Sequence, residues 1–270
     1  MSDVIQYPVL LIHGMGFRDG KRIQYWGRIP GVLEKHGIPV FHAFQDSNGS
    51  MEGNARQIAE ALDDVLKQTG AEKVNVIAHS KGGLEARYLI SSMGYEDKIA
   101  SLTTLATPHH GSKTVDRLMK FPDGLIRFGC KCVDLWYRIL GDKEPDTYQA
   151  IQIFRTSYME QFNIHNQDMP GIYYQSYAFV MNSMFSDCLM WFPHLVVKFF
   201  EGENDGLLTP DSAKWTNFRG VYRSNSRRGI SHCDEVDLRR RHFTRKQGDG
   251  ISDITSFYLD IVLELAEKGF

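Results

Sequence analysis

Apolar residues follow two rhythms along this chain: short solid runs, and longer stretches in which they recur every three or four positions. Solid runs at 8–12, 38–42, 73–78 and 99–106 predict buried strands. Helical spacing separates them at 26–35, 54–68 and 81–93. In 54–68, Ile58, Leu62, Val65 and Leu66 share one face, while Glu60, Asp63 and Asp64 turn outward. Strands alternating with helices predict a mostly parallel central sheet covered on both sides. The rhythm breaks over 111–168, where Leu118, Phe121, Leu125, Phe128, Leu135 and Ile139 occur among helical fragments without strand alternation. That stretch predicts an inserted helical cap over the active edge of the sheet. Solid runs return at 173–180 and 195–201, both expected to be strands. Ser252 or Asp253 is placed to cap a closing helix that carries Ile254, Phe257, Tyr258, Ile261, Val262 and Leu265. The expectation is a single domain over 1–270, with 111–168 as its inserted cap or lid.

The run ending Val76-Ile77-Ala78-His79 leads into Ser80-Lys81-Gly82-Gly83 and then a helix. A serine at a sharp strand-to-helix turn is lifted above the sheet, with the next N–H pointing the same way. In a parallel sheet, binding chemistry gathers at the C-terminal strand ends. His13-Gly14, His79-Ser80 and Thr107-Pro108 all fall there. Hydrolysis through serine needs a base for the hydroxyl proton, an acid that orients the base, and donors for the developing oxyanion. In α/β-hydrolases the order along the chain is serine, acid, histidine. Ser80, Asp205 and His232 satisfy that order. Asp205 sits in the tight turn Asn204-Asp205-Gly206, with Glu203 as its alternative, and His232 sits in a polar loop before the closing helix. His79 should point away from the serine hydroxyl, whereas His109 and His110 are expected to line the pocket. Backbone N–H groups of Met15 and Lys81 are the expected oxyanion donors.

The chain has 270 residues and a formal net charge of -2, so nothing favours nucleic acid or an anionic surface. The basic run Arg239-Arg240-Arg241-His242, with Arg245 and Lys246, reads as a solvated, ion-paired surface. No run is long enough for an integral membrane segment. Nothing resembling a leader follows Met1-Ser2-Asp3, so the expectation is a cytoplasmic chain, or a secreted one whose leader has been removed. The cysteines at 130, 132, 188 and 233 are expected to be free thiols.

Five blocks together resemble the true bacterial lipases, triacylglycerol hydrolases of the α/β-hydrolase superfamily. They are Pro8-Val9-Leu10-Leu11-Ile12-His13-Gly14-Met15, Ala78-His79-Ser80-Lys81-Gly82-Gly83, Thr107-Pro108-His109-His110-Gly111-Ser112, Asn204-Asp205-Gly206-Leu207 and His232-Cys233-Asp234-Glu235-Val236. The resemblance implies an apolar ester or acylglycerol substrate, an acyl-enzyme intermediate, a mobile lid and transient contact with a lipid–water interface. It assigns Ser80 as nucleophile, Asp205 as acid, His232 as base, and Met15 and Lys81 to the oxyanion positions. Ala78 stands where many elbows have glycine, a change that several such lipases share. No cofactor is required for the chemistry. The resemblance also implies a structural calcium at Asp234, with Asp237 and the sequence-remote Asp187 as partners, although Leu238 replaces a polar ligand of some relatives; the alternative at this loop is ordinary salt bridges to Arg239 or Arg240. Two other classes fit the same residues. One is a short-chain carboxylesterase, thioesterase or acyltransferase using the same triad. The other is a hydrolase-like binding protein in which the serine and histidine merely occupy loops.

Overall fold

A computed structural model describes residues 4–16, 24–140, 142–243 and 250–270. Its strands are β1 (Val9–Ile12), β2 (Val40–His42), β3 (Val74–His79), β4 (Ile99–Leu105), β5 (Tyr173–Phe179) and β6 (Phe218–Tyr222). They form one parallel sheet in the order β2-β1-β3-β4-β5-β6. The long crossovers that parallel pairing requires are supplied by helices, beginning with α1 (Ile29–Lys35), α2 (Met51–Thr69) and α3 (Lys81–Met93).

Alternation along the strands divides the core in two. Val9, Leu11 and Ile77 face α1 and the closing helix, packing with Trp26, Leu33, Tyr258 and Ile261. Leu10, Ile12, Val76 and Ala78 face α2 and α3, packing with Ile58, Leu62, Leu89 and Ile90. Between β4 and β5 the chain is helical, with α4 (Lys113–Leu118), α5 (Asp123–Leu140), α6 (Thr147–Gln152) and α7 (Thr156–His165). Met159 and Phe162 of α7 pack with Leu84 of α3, which ties this segment to the sheet layer.

The expected strand at 195–201 is instead part of helix α8 (Trp191–Phe200). Its aromatic and β-branched content favours a strand by propensity alone. Pro193, however, is tolerated in a first helical turn and excluded from a central strand. Only His194 and Val197 are buried, one turn apart, so the apolar run has a helical inner face and an exposed outer one. After α9 (Pro210–Ala213) the edge strand is β6. Asp253 caps the closing helix α10 (Ile254–Glu267), its carboxylate accepting the Thr255 N–H. All four cysteines are free. Among the described residues no helix is long and apolar enough to cross a membrane. Arg239, expected on a solvated, ion-paired surface, is ion-paired but turned inward, while Arg240 donates to the Gln24 side chain. Arg245 and Lys246 lie outside the described residues.

Candidate active site

Strand β3 runs into Ser80 with no intervening loop, and the serine takes φ 54°, ψ -128° before α3 begins. A non-glycine residue there is strained, and the surrounding structure must hold it in place. Its N–H donates to Leu105 O at 2.9 Å. Close backbone approach secures the rest. A methyl on Gly82 would lie 2.4 Å from His13 O, and one on Gly14 would lie 2.8 Å from both Ser80 Cβ and the Tyr25 hydroxyl. Only glycine lets the loop after β1 touch the elbow. Met15 follows on that loop and Lys81 opens α3. Neither backbone N–H is engaged by another described residue.

Asp205 is placed by turn chemistry. Asn204 Oδ1 accepts the Gly206 N–H, and Asp205 Oδ1 accepts the N–H groups of Leu207 and Leu208, each at 2.8 Å. The other carboxylate oxygen, Oδ2, lies 2.9 Å from His232 Nδ1, and the His232 N–H donates to Asp205 O at 2.8 Å. Burial alone would push the Asp205 carboxyl up. The facing His232 and the two backbone donors overcome it and hold the group below the usual carboxylate range. Ser80 Oγ makes no hydrogen bond to His232 or any other described residue, so the expected serine–base contact is not formed here. Such contacts commonly tighten only when substrate binds. His232 Nδ1, engaged with Asp205, leaves Nε2 as the basic nitrogen.

Sequence reasoning missed what lies behind this dyad. His79 shares its strand face with Ile77 and so turns toward α1, away from the hydroxyl. Its Nδ1 is 2.7 Å from the Tyr25 hydroxyl, which accepts the Gly14 N–H at 3.0 Å. Its Nε2 is 2.8 Å from Glu235 Oε2, and that oxygen is 3.6 Å from His232 Nδ1. The His79 and His232 rings are 4.4 Å apart between centroids. A connected set of polar groups thus runs from the loop after β1 to the acid–base pair. Burial lifts the Glu235 carboxyl well above its usual range, and the negative charge of Asp205 lifts it further. Burial holds His79 well below the usual imidazole range, assisted by His232 and His13. Both shifts favour the neutral forms across the His79–Glu235 contact. The signal available in sequence was the spacing of Glu235 three residues after His232, one helical turn away.

This arrangement sets a sign for stability against pH. An unfolded glutamate titrates near about 4.3, while folded Glu235 keeps its proton to much higher pH. The stability it contributes is complete below the unfolded value and is lost as pH rises toward the folded one. Asp205 has the opposite sign, since its contribution is present above about pH 4 and is lost on acidification. Glu235→Gln is expected to melt at the same temperature as wild type near pH 4, and increasingly above it between about pH 5 and 8. Melting curves across that range test this; a difference independent of pH would contradict it.

Lys81 contributes more than its backbone. Its ammonium pairs with Glu85 one turn along α3, both side chains being about 1% exposed, and donates to Gly49 O at 2.7 Å. Glu85 also accepts from Asn54 (2.7 Å) and Gln45 (3.3 Å), and Gln45 donates to His13 O at 2.8 Å. His109 is fully buried, stacked on Trp215 and beside Arg87, so it does not line the pocket as expected; His110 is exposed.

The expected calcium residues separate. Asp187 and Asp234 come together, but Arg239 lies between them, with Nη2 3.0 Å from Asp187 Oδ2 and 2.6 Å from Asp234 Oδ2. Asp237 lies elsewhere, held by the Arg28 guanidinium at 2.7 Å and the Arg28 N–H at 2.8 Å. Calcium takes 6–8 oxygen ligands. Here the carboxylate oxygens already accept the guanidinium, the Ser231 hydroxyl and the Leu189 and Met190 N–H groups, so the residues present do not fit that ion. Among the described residues, the acid and imidazole groups close enough to share an ion are His79, His232 and Glu235, which already engage one another and Asp205.

A family model described as palmitoyl protein thioesterase matches residues 8–238. The chain is 30% identical over 266 residues to triacylglycerol lipase 2 of Saccharomyces cerevisiae, covering 92% of this chain and 75% of that protein. It is 32% identical over 177 residues to the triacylglycerol lipase of Pseudarthrobacter phenanthrenivorans, covering 62% of this chain and 54% of that one. The chain thus spans about half the length of this bacterial relative. The solved structure of Staphylococcus hyicus lipase has the same fold, with a TM-score of 0.69 at 17% identity over 98% of each chain. The parallel sheet, the strained elbow and these relatives define an α/β-hydrolase that cleaves carboxylic esters. Within that class, the chain belongs to the palmitoyl protein thioesterase family.

Proposed function

We propose that this enzyme hydrolyses water-insoluble acyl esters, triacylglycerols foremost, through Ser80, His232 and Asp205. His232 Nε2 takes the Ser80 proton as the hydroxyl attacks the ester carbonyl. The Met15 and Lys81 N–H groups stabilise the tetrahedral oxyanion, and protonated His232 returns the proton to the departing alcohol. Water then repeats the cycle against the acyl enzyme. Asp205 fixes the imidazole tautomer and stabilises its cation.

The observation that carries the lipid reading is α5. In it Leu125, Phe128, Cys132, Leu135 and Ile139 recur at alternating spacings of three and four, which keeps them on one helical face. All are exposed, Leu125, Phe128 and Ile139 at 67–71%. A contiguous apolar stripe on a helix about 27 Å long is not ordinary surface; such patches mark interaction sites. Tyr137 of the same helix donates its hydroxyl to Gly16 O at 2.5 Å, which joins α5 to the loop bearing Met15. Phe185, Leu189, Trp191, Phe192 and Phe199 add exposed apolar surface around α8. On this reading 111–168 is a lid whose outer face meets the lipid–water interface.

Initial rates on aryl esters of increasing chain length, and on glycerides above and below their solubility limit, test the proposal. The expected result is a steep rise when an emulsion forms. Preference for dissolved short esters, with no rise at the interface, would overturn it. The family match favours one second reading, long-chain thioester cleavage by the same residues. A palmitoyl thioester turned over faster than emulsified triglyceride would select it.

A further inference from the structure

We propose that Arg239 is the built-in cation of the loop bearing the catalytic histidine, standing where a divalent ion would otherwise bridge Asp187 and Asp234. The two carboxylates come from remote segments, one preceding α8 and one just after His232, and both are almost wholly buried. Unpaired, they would repel each other in a poorly solvated place. The guanidinium engages Asp234 through both Nε (3.1 Å to Oδ1) and Nη2 (2.6 Å to Oδ2), and the same Nη2 reaches Asp187 Oδ2 at 3.0 Å. A planar fork suits such a carboxylate pair better than a point charge does.

The remaining lone pairs are satisfied by protein donors. Ser231 Oγ lies 2.5 Å from Asp187 Oδ2 and 3.0 Å from Asp234 Oδ2, while Asp187 Oδ1 accepts the Leu189 N–H at 2.8 Å. A metal ion would have to displace the guanidinium, the Ser231 hydroxyl and backbone N–H donors. No third imidazole, thiolate or carboxylate joins the pair among the described residues to compensate. Ser231 and Asp234 bracket His232, so Arg239 acts as a positioning residue: it clamps the histidine loop to the segment before α8 without metal.

The test uses thermal unfolding of the full chain and terbium luminescence titration, both independent of ester turnover. Wild type is expected to melt at one temperature in EDTA and in millimolar calcium, and to show no saturable terbium site. Arg239→Ala, which leaves two buried carboxylates unneutralised, is expected to melt on the order of 10 °C lower in EDTA. It should bind terbium with saturation, and calcium should restore at least half of the lost melting temperature. Its hydrolytic kcat should fall with KM unchanged and recover with calcium. Arg239→Lys should retain most of the melting temperature without calcium. The proposal is overturned if wild type loses stability in EDTA and regains it with calcium. It is also overturned if calcium leaves Arg239→Ala unrepaired, since the arginine would then be packing alone. The wild-type arm decides the matter even if Arg239→Ala does not fold.

Discussion

Replacing Ser80 with alanine is expected to lower kcat for ester hydrolysis by ~10^4- to 10^6-fold with the fold intact. The magnitude follows from what remains. Without the hydroxyl there is no acyl enzyme, and His232 can only activate water against a substrate still held by the oxyanion donors. Stability should not fall, because Ser80 makes no side-chain hydrogen bond to another described residue and sits at φ 54°. Ser80→Gly goes further: it removes the Cβ responsible for that strain and should raise the melting temperature while being equally inactive. Labelling by an organophosphonate should disappear in both variants. Retention of more than about one per cent of wild-type kcat by either would mean that another group attacks the ester, an outcome that a lone triad serine does not allow.

The second large effect is on stability. Removing either partner of the buried Lys81–Glu85 pair leaves a charge in the protein interior, at a cost of ~3–5 kcal/mol. Set against a total stability of about 5–15 kcal/mol, that is enough to unfold a fraction of the molecules at moderate temperature. Lys81→Met and Glu85→Gln are therefore each expected to shift the urea midpoint strongly. Their combination should cost much less than the sum, since no unpaired charge remains. Catalysis should fall in the single variants as well, because Glu85 reaches the His13 backbone through Gln45. Additive stability losses would show that the pair is not a unit.

Much of the frame was readable along the chain because its causes are local. Short solid apolar runs and period-3.6 patterns place β1, β3, β4, α2, α3 and α10, and the elbow follows from a strand run meeting Ser80-Lys81-Gly82-Gly83. Asp205 was legible for a similar reason. The Asn204-Asp205-Gly206 turn builds its own hydrogen bonds, so it was legible although the segment before it is helix α8 and not the expected strand. That misreading has one source: an aromatic, β-branched run carries strand propensity, and only its packing, with a single buried stripe through His194 and Val197, makes it a helix.

What sequence by itself determined here is the set of short-range decisions: which runs bury, where the chain turns, and which residue types meet the order serine, acid, histidine. Only the tertiary structure decided the partnerships. Glu235 meets His79 across a separation of 156 residues, and Ser231 meets Asp187 across 44. Arg239 pairs with Asp234 and Asp187, and Asp237 pairs with Arg28. Hydrogen bonds and ion pairs act over a few ångströms in space, and a linear pattern carries no record of which distant side chains folding brings that close.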